Sequence, residues 1–246
     1  MTAEDIRSAE VTIPEVPGIL SCSEVLATGR AIAAVQQRDG MVPWFKGGHC
    51  DPWNHVEAAM ALTVCGLVPQ AREAYRWLVR RQLPDGSWFN YYRGDAVKDP
   101  RLDTNVCAYL AAGAWHHHLI TGDVDFLGEL WPTIEGGIDF ILRWQQPDGS
   151  VLWSLNSTGR PEKYALLTGS SSIYHSLRCA VAVAERLDKD RPDWELAADA
   201  LSNTTPAAGL FRGEGLPEAL DLAEPHCGDA TDGCAVRDTQ RSCLPD

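Results

Sequence analysis

Three carboxylates stand where this sequence passes from polar loop into apolar helix: Asp51 and Glu57 in "HCDPWNHVEAAMAL", and Asp103 in "RLDTNVCAYL". Ring side chains gather around them at Trp44, His49, Trp53, Trp88, Tyr91 and Tyr92, with Asn105, Tyr174 and His175 further along. Carboxylates beside aromatic side chains suit carbohydrate. A glycosidic bond is cleaved between two carboxyl groups about 5 to 9.5 Å apart, one acting as acid and the other as base or nucleophile, while aromatic faces support the sugar. Asp51, Glu57 and Asp103 are therefore the candidate catalytic acids, and the rings with Asn105 the candidate substrate-binding residues. Each has a plainer reading. Asp51 before Pro52, and Asp103 before an apolar run, are good helix N-caps, and capping alone explains either. Glu57 lies inside an Ala-rich helix expected to bury it, where an unpaired carboxylate costs several kcal/mol, so structure explains it least.

Other constellations carry less chemistry. His49, Cys50, Asp51 and His55 are close in "HCDPWNH", but not at the spacing of a zinc site. His116, His117 and His118 fall at the far end of a helix, where polar or cationic groups suit the C-terminal carbonyls. No metal or cofactor is expected. In "TGSSSIYHS" the serines 170 to 172 most simply cap a helix, and Tyr174 and His175 can reach a cavity. A serine–histidine nucleophile pair there is weak, because adjacent helical positions do not face one another.

The elements that must position these residues show a repeat. "AVQQRDGMVPW", "LVRRQLPDGSWFNY" and "LRWQQPDGSVLW" each place a Gln three residues before an Asp-Gly, with a Trp soon after: Gln36 and Trp44, Gln82 and Trp88, Gln145 and Trp153. Spacing of this kind suits one helical hairpin per repeat. Helices are expected over 24 to 37 (capped by Ser23), 54 to 66, 70 to 82, 103 to 119, a stretch after "DVDF" in which Pro132 opens a first turn, 171 to 187, and one starting near Pro192. Their polarity alternates: "QAREAYRWLVRRQ" has one apolar face, whereas "DTNVCAYLAAGAWHHHL" is apolar almost all round. The order is outer, inner, outer, inner, outer, inner, outer. Joins after inner helices are brief, and joins after outer helices are long (38 to 53, 84 to 102 and 147 to 170). In a ring of hairpins the long joins share one end, the usual place for a ligand. The mouth is thus expected from residues 44 to 57, 88 to 105 and 168 to 175. For Trp88 and Trp153 a structural role outweighs ligand contact, with the Gln side chains bonding a neighbouring repeat's backbone.

Composition narrows the function. The net charge of −13 over 246 residues, with no basic stripe, argues against nucleic-acid partners. No apolar run reaches the ~18 residues of a membrane span, and "MTAEDIRSAE" lacks the basic and apolar regions of a signal peptide, so a cytoplasmic protein is expected. Eight scattered Cys read as buried thiols.

The Gln…Asp-Gly…Trp pattern at helix ends resembles the repeat of squalene and terpene cyclases and their prenyltransferase relatives, whose fold is an α/α toroid. "PWFKGGHCDPWNHVEAAMAL" and "LLTGSSSIYHSLRCA" resemble an actinobacterial family usually labelled prenyltransferase or squalene-cyclase-like. The DxDD run with which such cyclases protonate an alkene is absent. "RLDTNVCAYLAAGAWHHHLITGDVDFLGELWPTIEGGIDFI" is similar to a helix pair of six-hairpin glycoside hydrolases. That second resemblance implies an enzyme acting on a glycan or glycolipid. A prenyltransferase-like or cyclase-like protein, and a non-catalytic ligand-binding toroid, are the alternatives.

The expected organisation is an N-terminal extension (1 to 22), helical hairpins of an all-α partial α/α toroid (23 to 202) and an irregular tail (203 to 246). A closed six-hairpin ring needs about twelve helices of ordinary length, and seven are legible here. A truncated arc, or a tail from a changed reading frame, is expected, with an open edge able to self-associate. The alternative is a short complete toroid whose tail is pinned by Cys227, Cys234 and Cys243.

Overall fold

A computed structural model describes residues 13–204. The expected tail, its three cysteines and most of the N-terminal extension lie outside them. Eight helices follow in order: α1 (Cys22–Val35), α2 (Pro52–Val64), α3 (Val68–Arg81), α4 (Thr104–Ala108), α5 (Leu110–Thr121), α6 (Val124–Leu142), α7 (Leu167–Arg186) and α8 (Pro192–Thr204). The only strands among the described residues are loop pairings: β1 (Tyr91–Arg93) with β2 (Ala96–Asp99), and β3 (Leu102–Asp103) with β4 (Ser154–Leu155), both antiparallel.

The inner and outer alternation is what packs. α2, α4–α5 and α7 pack against one another, while α3, α6 and α8 back them as the second arms of three hairpins, and α1 lies on α2. The chain therefore builds an all-α arc of an α/α toroid. Between the layers, Tyr75, Trp77, Leu78, Leu127, Leu130 and Trp194 are almost wholly removed from water. Each such side chain contributes roughly 1.5–3 kcal/mol of transfer free energy. The inner helices approach closely at Gly113, where a Cβ would overlap Val56.

The repeated Gln and Asp-Gly are stitches between outer helices. Gln82 Nε2 donates to Gly86 O at 3.0 Å, closing its own turn, and to Thr133 O of α6 at 2.8 Å. Gln36 does the same with Gly40 O and Gln70 O of α3, and Gln145 with Gly149 O and Ala197 O of α8. Within each turn the Asp side chain accepts from the backbone N–H two residues on, at Met41, Ser87 and Ser150. Gly86 has φ +93°, and a Cβ there would overlap Gly136 O. The turn needs glycine both for its left-handed backbone and for its proximity to the next helix.

Four local expectations are corrected. α1 begins at Cys22 rather than 24, because Ser21, not Ser23, caps it in a reciprocal box with Glu24. α7 begins at Leu167 after Leu166 with no side-chain cap, so the serines 170 to 172 lie inside the helix and do not cap it. Pro132 sits in the middle of α6 rather than in a first turn. There it gives no N–H to the Gly128 carbonyl and its ring crowds that group, yet the helix runs on to Leu142. The single inner helix expected over 103 to 119 is divided at Tyr109 into α4 and α5.

Candidate active site

Two of the inner helices open on an aspartate. Asp51 Oδ1 accepts from Asn54 N at 2.9 Å, capping α2, while Oδ2 accepts from Asn54 Nδ2 at 3.0 Å and from the Trp44 indole at 2.6 Å. Asp103 repeats the arrangement: Oδ1 accepts from Val106 N at 3.2 Å, capping α4, and Oδ2 accepts from the Trp153 indole at 2.7 Å. Each carboxylate thus serves its helix with one oxygen and an indole N–H with the other. Both are buried. Burial pushes the Asp103 carboxyl up to about 6, against the opposing hydrogen bonds from the Val106 backbone, Trp153 and the Asn105 backbone and the charge of Arg101.

Tyr91 feels the charge of both. Its hydroxyl is raised first by burial and then by the charges of Asp51, Asp99 and Asp103, with Arg101 opposing. The first and second long joins also share a frame, since Cys50 and Tyr92 exchange both backbone hydrogen bonds at 2.8 Å. On the rim, Trp44 packs against His49 with centroids 4.6 Å apart and meets Tyr91 edge-on at 6.4 Å. The third join closes over Asp103 through Trp153 and through the Thr104 hydroxyl, which donates to Leu152 O or Trp153 O.

Glu57 is exposed rather than buried, which corrects the sequence expectation: its position on α2 faces away from α3, and it accepts from Tyr109 Oη at 3.1 Å. Trp53 stacks flat on Tyr109, with centroids 3.9 Å apart and planes inclined by 2°. Burial, then the charge and hydrogen bond of Glu57, push the Tyr109 hydroxyl up to about 12. Asn105, second residue of α4, keeps a buried Oδ1 without a partner among the described residues. Such an acceptor suits a ligand hydroxyl.

The structure removes two residues from the candidate site. Trp88 is 1% exposed and gives its indole N–H to Leu78 O at 2.9 Å; Tyr92 is 2% exposed, and its oxygen accepts from Phe89 N. Both are core groups beneath the mouth, the structural role foreseen for Trp88. Tyr174 and His175 are exposed on the early turns of α7, where His175 Nε2 lies 3.6 Å from Cys179 Sγ. Among the described residues neither bonds to Asp51, Glu57 or Asp103.

The remaining histidines are structural. His55 is held by Val42 N, which donates to Nδ1, and donates from Nε2 to Ala74 O; burial lowers its pKa. His117 meets the Thr63 hydroxyl and is depressed to about 4, chiefly by burial, while His118 accepts from Arg186. Among the described residues no group of three or more His, Cys, Asp or Glu is arranged to hold a metal. No described helix is long and apolar enough to cross a membrane. The functional groups that sequence reasoning missed are Tyr109, hidden in an apolar run, and Trp153, whose indole reaches a carboxylate in the preceding repeat.

Fold and site together define an arc of an α/α toroid whose mouth carries indole-bound aspartates and stacked rings. The same fold occurs in solved structures of a D-mannose isomerase (TM-score 0.55, 14% identity, 78% of this chain and 53% of that one) and of an unsaturated glucuronyl hydrolase from Bacillus sp. GL1 (TM-score 0.54, 18% identity, 74% and 54%). In sequence, the chain is 48% identical over 191 residues to an MMP endo-(1,4)-3-O-methyl-alpha-D-mannosidase of Mycolicibacterium hassiacum. That alignment takes in 78% of this chain and 53% of the mannosidase, so the chain spans about half the length of the curated relative it matches. No family model matches.

Proposed function

We propose that this mouth belongs to a glycoside hydrolase acting on an α-linked, 3-O-methylated mannan. The observation that carries the reading is the Asp51 and Asp103 arrangement: two buried, helix-capping carboxylates, each also bound by an indole N–H, of which Asp103 is raised to about 6 by burial. A carboxyl with that value keeps its proton in mildly acidic solution, and in roughly one molecule in ten at pH 7, and can give it to a departing glycosidic oxygen. Asp51, on which three donors converge, is arranged as an acceptor and serves as the base or nucleophile. Trp53, stacked on Tyr109, offers an aromatic platform, and Asn105 Oδ1 an acceptor for a sugar hydroxyl. The 48% identity to the mannosidase supports the choice of substrate.

Incubation with 3-O-methylated α-1,4-linked mannooligosaccharides, followed by chromatography of the products, tests the reading. Shorter oligosaccharides are expected, with turnover reduced by roughly 10² to 10⁴ in Asp103→Asn, the range attributed to general acid catalysis. Intact sugars together with measurable binding would instead identify a non-catalytic binding toroid. Full activity in both Asp103→Asn and Asp51→Asn would leave the carboxylates as caps alone.

A further inference from the structure

The rim of the mouth carries charge of the opposite sign to the rest of the molecule. Between the loop 44–49 and the β1–β2 hairpin lies a cavity of about 530 Å³, lined by Phe45, His49, Tyr91, Arg93, Lys98 and Asp99 among others. Its frame is fixed. The paired backbone of Cys50 and Tyr92 joins the two loops, and Arg93 Nε donates to Gly47 O at 3.1 Å, which leaves the terminal nitrogens of its guanidinium without a partner among the described residues.

The charges do not cancel. Asp99, the one carboxylate in the lining, is already held by Arg101, whose Nε lies at 3.1 and 3.0 Å from its two oxygens and whose terminal nitrogen lies at 2.7 Å. Asp95 at the hairpin tip is paired with Arg81. Among the described residues Arg93 and Lys98 therefore remain as cations without a paired carboxylate, in a chain of net charge −13. Beside them Phe45 is 59% exposed and offers an open ring face to the cavity.

We propose that this cavity is a subsite for a carboxylate-bearing sugar. A guanidinium with two free terminal N–H groups takes a carboxylate in a fork, Lys98 adds a second charge, and the sugar face lies on Phe45 and Tyr91. The subsite adjoins the catalytic mouth: Trp44, packed against His49 and Tyr91, is the residue whose indole holds Asp51. A 3-O-methylated mannan carries no carboxylate, so the acidic sugar is a further ligand of this mouth, held beside the aspartates; its link to catalysis rests on the hydrolase reading, whereas the binding itself does not.

Calorimetric titration of Asp103→Asn, which retains the cavity, with a glucuronate-terminated disaccharide and with the neutral disaccharide of the same linkage tests the subsite without turnover. The glucuronate is expected to bind roughly tenfold more tightly at low salt, in line with the worth of a charge-assisted hydrogen bond. In Lys98→Gln that advantage should fall several-fold, and in about 1 M NaCl it should nearly vanish for such exposed groups. Equal affinity for the two sugars, or a preference that survives both Lys98→Gln and Arg93→Gln, overturns the proposal. So does tighter binding of a sulfated disaccharide than of the uronate, because the fork is assigned to a carboxylate. Uronate preference without any glycan cleavage by the parent protein would sink the hydrolase and leave the subsite standing.

Discussion

Burial gives Asp103 a pH dependence that can be measured apart from catalysis. In the folded chain its carboxyl holds a proton up to about 6, whereas the ordinary value is 3.8. Between those values the folded state binds the extra proton, so this group's contribution to stability falls as pH rises through the window and is fully lost above about 6. Asp103→Asn keeps an oxygen for the Val106 N–H and removes the charge, but it turns an amide N–H toward the Trp153 indole, whose hydrogen bond is lost at every pH. Relative to the parent, the stability of the variant should therefore improve by at most about 3 kcal/mol between pH 4 and pH 8. Thermal unfolding across that range checks it, and a difference that does not change with pH would refute burial as the cause. Trp153→Phe probes the other oxygen. It keeps the ring and deletes the N–H that opposes the rise, so the Asp103 carboxyl should climb further and the alkaline limb of the kcat/KM profile should move to higher pH. An unmoved limb with altered KM would make Trp153 a substrate platform rather than a positioning residue.

Among the elements, what local chemistry specifies was readable from the chain. Asp51 and Asp103 are caps because an aspartate before an apolar run has no better use for one oxygen, and the Asp-Gly turns advertise a left-handed backbone. The side chains that depend on how a helix is rotated against its neighbours were not readable. Glu57 sits in an Ala-rich run and still faces water, and Tyr109 emerges at a break that its sequence does not mark. Ser23 was the expected cap, and Ser21 takes its place because Glu24 reaches back to it. The turns themselves provide a clean test. Gly86 and Gly159 both have positive φ, +93° and +75°, but only at Gly86 would a Cβ meet another helix; around Gly159 there is open space. Gly159→Ala should cost about 1 kcal/mol for the backbone alone. Gly86→Ala should cost about 3 kcal/mol or more, since α6 must also move away. Denaturant titration of the two variants separates them, and equal losses would show that the Asp-Gly turn does not bear on α6.

At the scale of the molecule, the three Gln stitches make the arc a chain of nearest neighbours. Gln36 joins the first turn to α3, Gln82 joins the next to α6, and Gln145 joins the last to α8. Gln70 and Gln82 stand twelve residues apart, as do Thr133 and Gln145; the same interval from Ala197 falls on Gly209, so the sequence does not continue the stitch although Gly213 keeps the place of the turn glycine. Stability in such an array is close to a sum of local terms and interfaces, so the position of a lost stitch decides how far its effect spreads. Removal of two hydrogen bonds that hold buried carbonyls should cost about 1–3 kcal/mol wherever it is made. In Gln145→Ala, backbone hydrogen exchange should quicken across α8 alone, because α7 keeps its packing on α5. In Gln82→Ala the interface between α3 and α6 opens in the middle of the arc, and exchange should quicken on both sides of it. Exchange measured by mass spectrometry over α2–α3, α5–α6 and α8 distinguishes these patterns. Uniform quickening in both variants would mean that the arc unfolds as one cooperative unit, and that the stitches report only its global stability.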